Sequence, residues 1–350
     1  MAVYENPDFT DLPQPLAALF AKAAERSFFA LPIWYHVLSR YGTGKAAAPR
    51  LYADDEENPR AALVCMKPKP RANWLHSLSN YYSTEYGPIY AAGEEHLQEA
   101  FEIIARQMKS GRWSALRLAG LDPTDPGFEA LAAAFAKTGF IVYRYFDSAT
   151  WFENTAGWDF ARYVEARPAA LRNTWRRKGA KLTAEHKVEF VYYDGAADIE
   201  QAVEDYQRVY EISWKGAEPY PEFVPQLIRA AAKESALRLG VMRVDGEPAA
   251  AQCWILRDGR ATIYKLAHDP RFNDYSPGTL LTMAMMERVL ERDRPREVDF
   301  GRGDDGYKKL WLGQRRERWG LLIANPRTAA GLGLAARQSA ARMVKRMLRR

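Results

Sequence analysis

Cysteine is scarce in this chain: Cys65 and Cys253 are the only two in 350 residues. They are far apart and lack the close spacing of metal-binding pairs, which excludes a disulfide framework and a cysteine-based metal centre. Such usage fits a reducing cytoplasm. Both thiols lie inside apolar, strand-like runs and read as inert core residues. No stretch reaches about 18 consecutive apolar residues, so no transmembrane helix is expected. Residues 1–12 carry Glu5, Asp8 and Asp11 but no Lys or Arg, which argues against a secretory signal. No set of Cys, His and carboxylate residues has metal-ligand spacing, and no metal is expected. Acidic residues are missing altogether after Glu317. The stretch 318–350 holds eight of the 50 Lys and Arg; without it 42 basic residues face 44 acidic ones, a net of −2 instead of +6. The basicity therefore belongs largely to the tail. A near-neutral body argues against a general nucleic-acid surface.

What is present is the material of a globular protein, with 47% hydrophobic and 27% charged residues in a length that suits two domains. The pattern reads as two similar halves, 1–155 and 156–326, followed by a basic tail, 327–350. In the first half the spacing predicts helices over 12–25, 33–40, 94–109 and 127–137, and strands over 62–67, 114–118 and 140–152. The third of these helices places Leu97, Phe101, Ile104, Ala105 and Met108 at helical spacing. The second half reads as a basic helix over 169–186, a strand over 188–193, and helices over 199–214 and 222–233. Strands over 237–244, 249–256 and 261–267 follow. Asp245-Gly246 and Asp258-Gly259 are hairpin turns between them. A helix over 276–292 and strands over 297–301 and 319–325 complete this half.

The most informative stretch is 246–323. There Asp274-Tyr275-Ser276-Pro277-Gly278-Thr279 opens an apolar run over 280–290. A strand leading to a helix with a Ser-Pro-Gly-Thr entrance is a place for an anion. The first N–H groups of a helix lack internal partners, and the helix dipole favours negative charge there. Pro277 suits the first turn and Ser276 the N-cap.

The run Tyr275-Ser276-Pro277-Gly278-Thr279-Leu280-Leu281, with Asp299-Phe300-Gly301-Arg302-Gly303-Asp304 and Tyr307-Lys308, resembles the CelD/BcsL-type branch of the GNAT acyltransferase superfamily. That branch is related in architecture to the Fem peptidoglycan aminoacyltransferases. The resemblance is strongest over about 160–315, with a weaker echo at Phe28-Phe29-Ala30-Leu31-Pro32-Ile33-Trp34. It implies an α/β (α+β) fold of tandem GNAT-like domains, with mixed central sheets flanked by helices. The N-terminal domain is the degenerate one, since it has no Ser-Pro-Gly-type entrance. The implied donor is acyl-CoA (acetyl-CoA or longer), or an aminoacyl-tRNA as in the Fem branch. The implied acceptor is an amine or hydroxyl on a sugar, polysaccharide precursor or other cell-envelope metabolite. A non-catalytic partner in an exopolysaccharide-synthesis complex is the remaining alternative.

On this reading Tyr275, Ser276, Pro277, Gly278, Thr279 and Leu280 form the donor site. The N–H groups of Gly278, Thr279 and Leu280 would cradle the pyrophosphate. Lys308 would hold a donor phosphate or a carboxylated acceptor. The plain alternatives are a capped helix and a solvated lysine. Asn273, Tyr275 and Pro277 replace the Arg/Gln-x-x-Gly-x-Gly/Ala pattern of the wider superfamily. An acceptor ammonium with a pKa near 10.4 leaves only about one amine in a thousand free at pH 7, so transfer to nitrogen needs a proton acceptor. The candidates near strand ends are Asp299, His268 and Asp304, with Asp269 and Asp305 beside them. Tyr307 is the candidate acid for the departing thiolate. Asp299 stands between Val298 and Phe300, where desolvation would raise its pKa. Against these roles stand a surface histidine, solvated loop carboxylates and a tyrosine with a satisfied hydroxyl. The basic stretch 172–181 holds five cations and Trp175; it reads as a solvated helix face or as a nucleic-acid strip. Trp74, Tyr81, Tyr82, Tyr86 and Tyr90 read as core aromatics or as a sugar-stacking groove. In the tail, Arg337, Arg342, Lys345, Arg346, Arg349 and Arg350 alternate with apolar residues as in a basic amphipathic helix. That helix would give peripheral contact with an anionic inner-membrane face, or fray in solvent.

Overall fold

The computed structural model describes residues 2–347, excepting the side chains at 342 and 344–347. Met1–Ser148 together with Glu317–Arg350 form one unit, and Ala149–Arg316 form the other. In chain order the first unit holds β1 (Ala2–Glu5), α1 (Gln14–Ala24), α2 (Pro32–Tyr41), β2 (Ala48–Ala53), β3 (Ala61–Lys67), β4 (Trp74–Ser77) and β5 (Ile89–Tyr90). There follow α3 (Leu97–Ser110), β6 (Ala115–Leu121), α4 (Pro126–Lys137) and the start of β7 (Ile141–Asn154). The second unit continues with α5 (Phe160–Glu165), α6 (Ala169–Glu185), β8 (Val188–Tyr193), α7 (Ile199–Ile212) and α8 (Phe223–Lys233). It ends with β9 (Leu237–Val244), β10 (Glu247–Arg257), β11 (Arg260–His268), α9 (Pro277–Arg288) and β12 (Glu297–Asp299). The chain then returns to the first unit through β13 (Gln314–Ala324) and α10 (Ala329–Met347).

The first unit's strands run β1-β2-β3-β4-β6-β13. Here β4 and β6 are parallel and the other neighbours antiparallel. Phe101 and Ile104 of α3 and Leu131 and Phe135 of α4 pack with Leu116, Leu118, Leu321 and Ile323. This packing explains a departure from the sequence reading. Alternating Leu321 and Ile323 match the buried positions of β6, so β13 pairs there and does not complete the second half. The units accordingly divide at Ser148/Ala149 and Arg316/Glu317, where the sequence suggested 155 and 326. Within the expected tail, α10 is packed on the first unit. Ala335 of α10 packs with Tyr143 and Ala324, and the Tyr143 hydroxyl donates to the Ala335 carbonyl at 2.9 Å. The side chains of Arg342, Lys345, Arg346, Arg349 and Arg350, on which the amphipathic expectation rests, lie outside the described residues. Among the described residues no helix is long and apolar enough to cross a membrane.

The second unit's strands run β7-β12-β11-β10-β9-β8. All neighbours are antiparallel except β11 and β12. Both expected hairpins form, and Asp245, Gly246, Asp258 and Gly259 all have positive φ, as a tight two-residue turn requires. Helix α9 lies directly on the sheet. A Cβ at Gly240 of β9 would stand 2.3 Å from Met285 Sδ, so glycine makes room for the Met285 side chain in its present position. Helix α7 ends at Ile212, two residues short of the expected end, because Ser213 turns extended with ψ 167°. Trp214 therefore leaves the helix face and is 53% exposed.

Candidate active site

Strand β11 pairs with β12 only through Arg260, Ala261 and Thr262. From Ile263 to His268 its ladder runs with β10 alone. A 3-10 helix, Pro270–Tyr275, follows, begun by buried Asp269, whose carboxylate accepts the Arg271 N–H at 2.9 Å. Ser276 then takes the left-handed conformation (φ 53°, ψ 55°) before α9 starts. It occupies the N-cap position, but its side chain makes no cap bond. Its carbonyl instead accepts the N–H groups of Thr279 at 2.9 Å and Leu280 at 3.2 Å. Of the three N–H groups expected to cradle pyrophosphate, only that of Gly278 has no partner among the described residues.

His268 stands beside Gly278. Its Nε2 meets Asn273 Oδ1 at 2.9 Å, and Nδ1 is enclosed with no hydrogen-bond partner. With the Asn273 amide oxygen as acceptor, the proton is assigned to Nε2 and Nδ1 keeps a bare lone pair. A Cβ at Gly278 would lie 3.4 Å from Nδ1, an ordinary contact, so this edge of the ring packs beside Gly278. Burial holds the imidazole below its ordinary pKa, with Asn273 and Asp269 opposing and Lys215 reinforcing the shift. The ring is therefore neutral at pH 7 and able to accept a proton. Gln252 fixes the other side of Gly278. It is buried in β10, donates to Thr282 Oγ1 at 2.6 Å and to the Gly278 carbonyl at 3.2 Å, and accepts from Trp254 Nε1 at 2.9 Å.

A second group of charges lies along the same run of β11. Lys215 Nζ donates to the Leu266 carbonyl at 2.6 Å. Lys265 Nζ pairs with Glu218 Oε1 at 2.6 Å. The Trp214 ring covers His268 with centroids 4.2 Å apart. Burial, helped by the charges of Lys265 and Lys308 and opposed by Glu218, lowers Lys215 from 10.5 to about 8. The sequence reading missed Lys215, Glu218, Gln252 and the role of Trp214. Gln252 did carry a signal, as a polar residue within an apolar run. Lys215 carried none, because its position depends on where α7 stops.

The other candidates have different surroundings. Asp299 is 4% exposed; its Oδ1 accepts from Thr150 Oγ1 at 2.9 Å and the Gly301 N–H at 2.7 Å, and Arg316 lies 3.6 Å from Oδ2. With those bonds made, it reads as an anchor for the end of β12. Asp304 accepts from Trp151 Nε1 at 2.9 Å and Arg315 Nε at 3.0 Å, and the Arg315 bond holds it below the usual carboxylate range. Neither carboxylate shares a described hydrogen bond with His268. Tyr307 packs edge-on against Phe300. It is 47% exposed as a residue, yet desolvation and then the Asp305 charge push its hydroxyl up to about 12. Lys308 was expected on a phosphate. It is buried and turned inward, donating to the carbonyls of Arg302 at 3.0 Å and Gly303 at 3.2 Å, with Asp305 3.3 Å away. Tyr275 is fastened to α6, its hydroxyl bonding Glu185 and its ring lying 4.8 Å from Lys181 Nζ.

Comparisons with known proteins bear on this geometry. Residues 169–309 match the family described as "Acetyltransferase (GNAT) domain". No curated protein matches the chain. Among solved structures, FemX is similar with a TM-score of 0.59 at 10% identity, covering 92% of this chain and 97% of its own. L-PGS from Bacillus licheniformis gives 0.55 at 10% identity, with 96% and 97% covered. A tandem GNAT protein from the clavulanic acid biosynthesis pathway gives 0.53 at 16% identity, with 92% and 98% covered. At these identities the likeness is one of fold. The mixed α/β fold is thus like that of the tandem GNAT protein, the segment 169–309 is a GNAT acetyltransferase domain, and the protein that carries it is a transferase.

Proposed function

We propose that the second unit transfers an acyl group from acyl-CoA to an amine or hydroxyl on a sugar, polysaccharide precursor or other cell-envelope metabolite. The observation that carries this reading is the bare Nδ1 of His268 facing Gly278 where β11 has left β12. The thioester lies along that open run of β11, with backbone N–H groups and the Lys215 charge beside its carbonyl. His268 Nδ1 takes the acceptor's proton as nitrogen or oxygen attacks the carbonyl carbon. The new C–N or C–O bond forms, the C–S bond breaks, and the electron pair leaves on sulfur. A thiol pKa near 8.5 makes a strong acid unnecessary at that sulfur near neutral pH. The motif likeness over 275–281 and 299–308 supports placing the chain in the CelD/BcsL branch, working at the cytoplasmic side of the envelope.

The second reading is aminoacyl transfer from charged tRNA. It is favoured by the similarity in fold to FemX and L-PGS. Calorimetric titration with acetyl-CoA, longer acyl-CoAs and a charged tRNA separates the two. Gly278→Asp adds bulk and negative charge beside Nδ1 at a helix start that tolerates Asp, and it should abolish acyl-CoA binding with the fold intact. Undiminished acyl-CoA binding in that folded variant would remove this loop from the donor site.

A further inference from the structure

We infer that helix α6 supplies the cations that neutralise the phosphates of the donor nucleotide, with Arg176 and Arg177 as the residues that meet them. This rests on the acyl-CoA reading above and adds a binding surface to it.

The helix is charged against its own interest. Arg172 and Arg176 stand four apart, as do Arg177 and Lys181, and like charges at that spacing repel. Between 169 and 184 there is no acidic residue to offset them; the only acid on the helix, Glu185, is engaged by the Tyr275 hydroxyl. Arg176 and Arg177 are exposed, and neither has an ion-pair or hydrogen-bond partner among the described residues. Several other surface arginines of this unit are paired. Arg288 and Arg292 share Asp194, Arg296 meets Asp258, and Arg271 meets Asp269. A solvated face needs no such concentration of one sign.

The helix is also tied to the donor segment at several points. Lys178 Nζ donates to the Asp274 carbonyl, and Lys181 lies over the Tyr275 ring at 4.8 Å. At Gly179 an added Cβ would be 3.5 Å from Leu280 Cδ2, so the helix passes closely over the first turn of α9. Arg177 is one helical turn before Lys181 and so stands on the side of α6 that reaches Tyr275. At the entrance of α9 itself, Thr279 and Leu280 spend their N–H groups on Ser276 and Gly278 packs beside His268, so the entrance offers little to a phosphate. A pyrophosphate and a phosphomonoester carry far more charge than one N–H offsets. The matching charge stands on α6.

The test is calorimetry of CoA binding to the full chain and to Arg176→Gln/Arg177→Gln. A control, Lys22→Gln/Lys45→Gln, removes two exposed cations from the first unit. Loss of charge-assisted bonds to phosphate lowers affinity by about tenfold to a hundredfold. The expected result is that loss in the α6 variant, an unchanged control, and unchanged unfolding midpoints in both. Dephospho-CoA, which lacks the 3′-phosphate, reports which phosphate is met: a smaller loss with it places the arginines at that group, and an equal loss places them at the pyrophosphate. Equal CoA affinity in the wild type and the α6 variant, or an equal loss in the control, overturns the assignment and leaves the donor reading standing. Failure of the wild-type chain to bind CoA at all overturns both.

Discussion

Replacing Lys215 by Met tests the charge balance along β11 with a quantity that the structure fixes in sign. The native ammonium loses its proton at about 8, against an ordinary 10.5. At about 1.36 kcal/mol per pKa unit this is a penalty of about 3 kcal/mol on the charged native form. Residual solvent contact and the hydrogen bond to the Leu266 carbonyl, worth about 1 kcal/mol, reduce what removal of the charge returns. Lys215→Met keeps the apolar stem, so at pH 7 the variant should be more stable by about 1–2 kcal/mol. Below pH 8 the lysine is protonated in both folded and unfolded chains, and this difference is constant. Between about 8 and 10.5 the unfolded chain binds more protons, so the wild type gains stability with rising pH and the variant does not. By about pH 9.5 the wild type should have gained about 2 kcal/mol on the variant. Denaturant-dependent hydrogen exchange of β9–β11 amides reports the second unit by itself. A stability difference that stays the same at pH 7 and pH 9.5 would refute the reasoning and return Lys215 to the class of solvated lysines.

His268→Asn should lower turnover by roughly 10²–10⁴-fold with CoA affinity retained, read as thiol release in the presence of acceptor. In the wild type the rate should hold at pH 7 and fall only below the ordinary imidazole range, since the shift is downward; a fall centred above that range would contradict a neutral base. Lys308→Met leaves the Arg302 and Gly303 carbonyls without their donor, so it should cost about 1–3 kcal/mol of stability and leave CoA affinity unchanged. A selective loss of CoA binding without destabilisation would restore Lys308 to the donor site. Cys253 is fully buried and burial pushes its thiol up to about 12, so in the native chain it should resist alkylation that proceeds rapidly in denaturant, as mass spectrometry would show.

The elements with strong local signals were legible in the sequence. The Asp-Gly hairpins, the amphipathic α3 and α8 and the Ser-Pro-Gly-Thr helix entrance each carry their cause within a few residues. The short strands β1, β2, β4 and β5 were not read, because runs of two to six residues carry too little alternation to stand out. The site was legible in part. His268 and Gly278 were named, and they face each other. The expected cradle of three N–H groups shrinks to one because the carbonyl of the N-cap residue, Ser276, accepts from Thr279 and Leu280, as the first bonds of a helix do. Lys308 was misjudged because its partners are carbonyls of its own loop. Lys215 and Glu218 meet β11 only through the fold, from loop positions about 50 residues earlier in the chain, a distance that periodicity does not reach.

The return of β13 to the first unit fixes an order of events during synthesis. Residues 149–316 leave the ribosome as one uninterrupted block, so the second unit has its whole chain before the first unit does. The first unit must wait for 317–350 and meanwhile shows one long side of β6 without its neighbour. An unpaired strand edge is where chains associate wrongly. The usual sequence, in which the amino-terminal domain matures first, is therefore inverted. A chain interrupted before β13 would release a finished transferase unit attached to an unfinished, association-prone one.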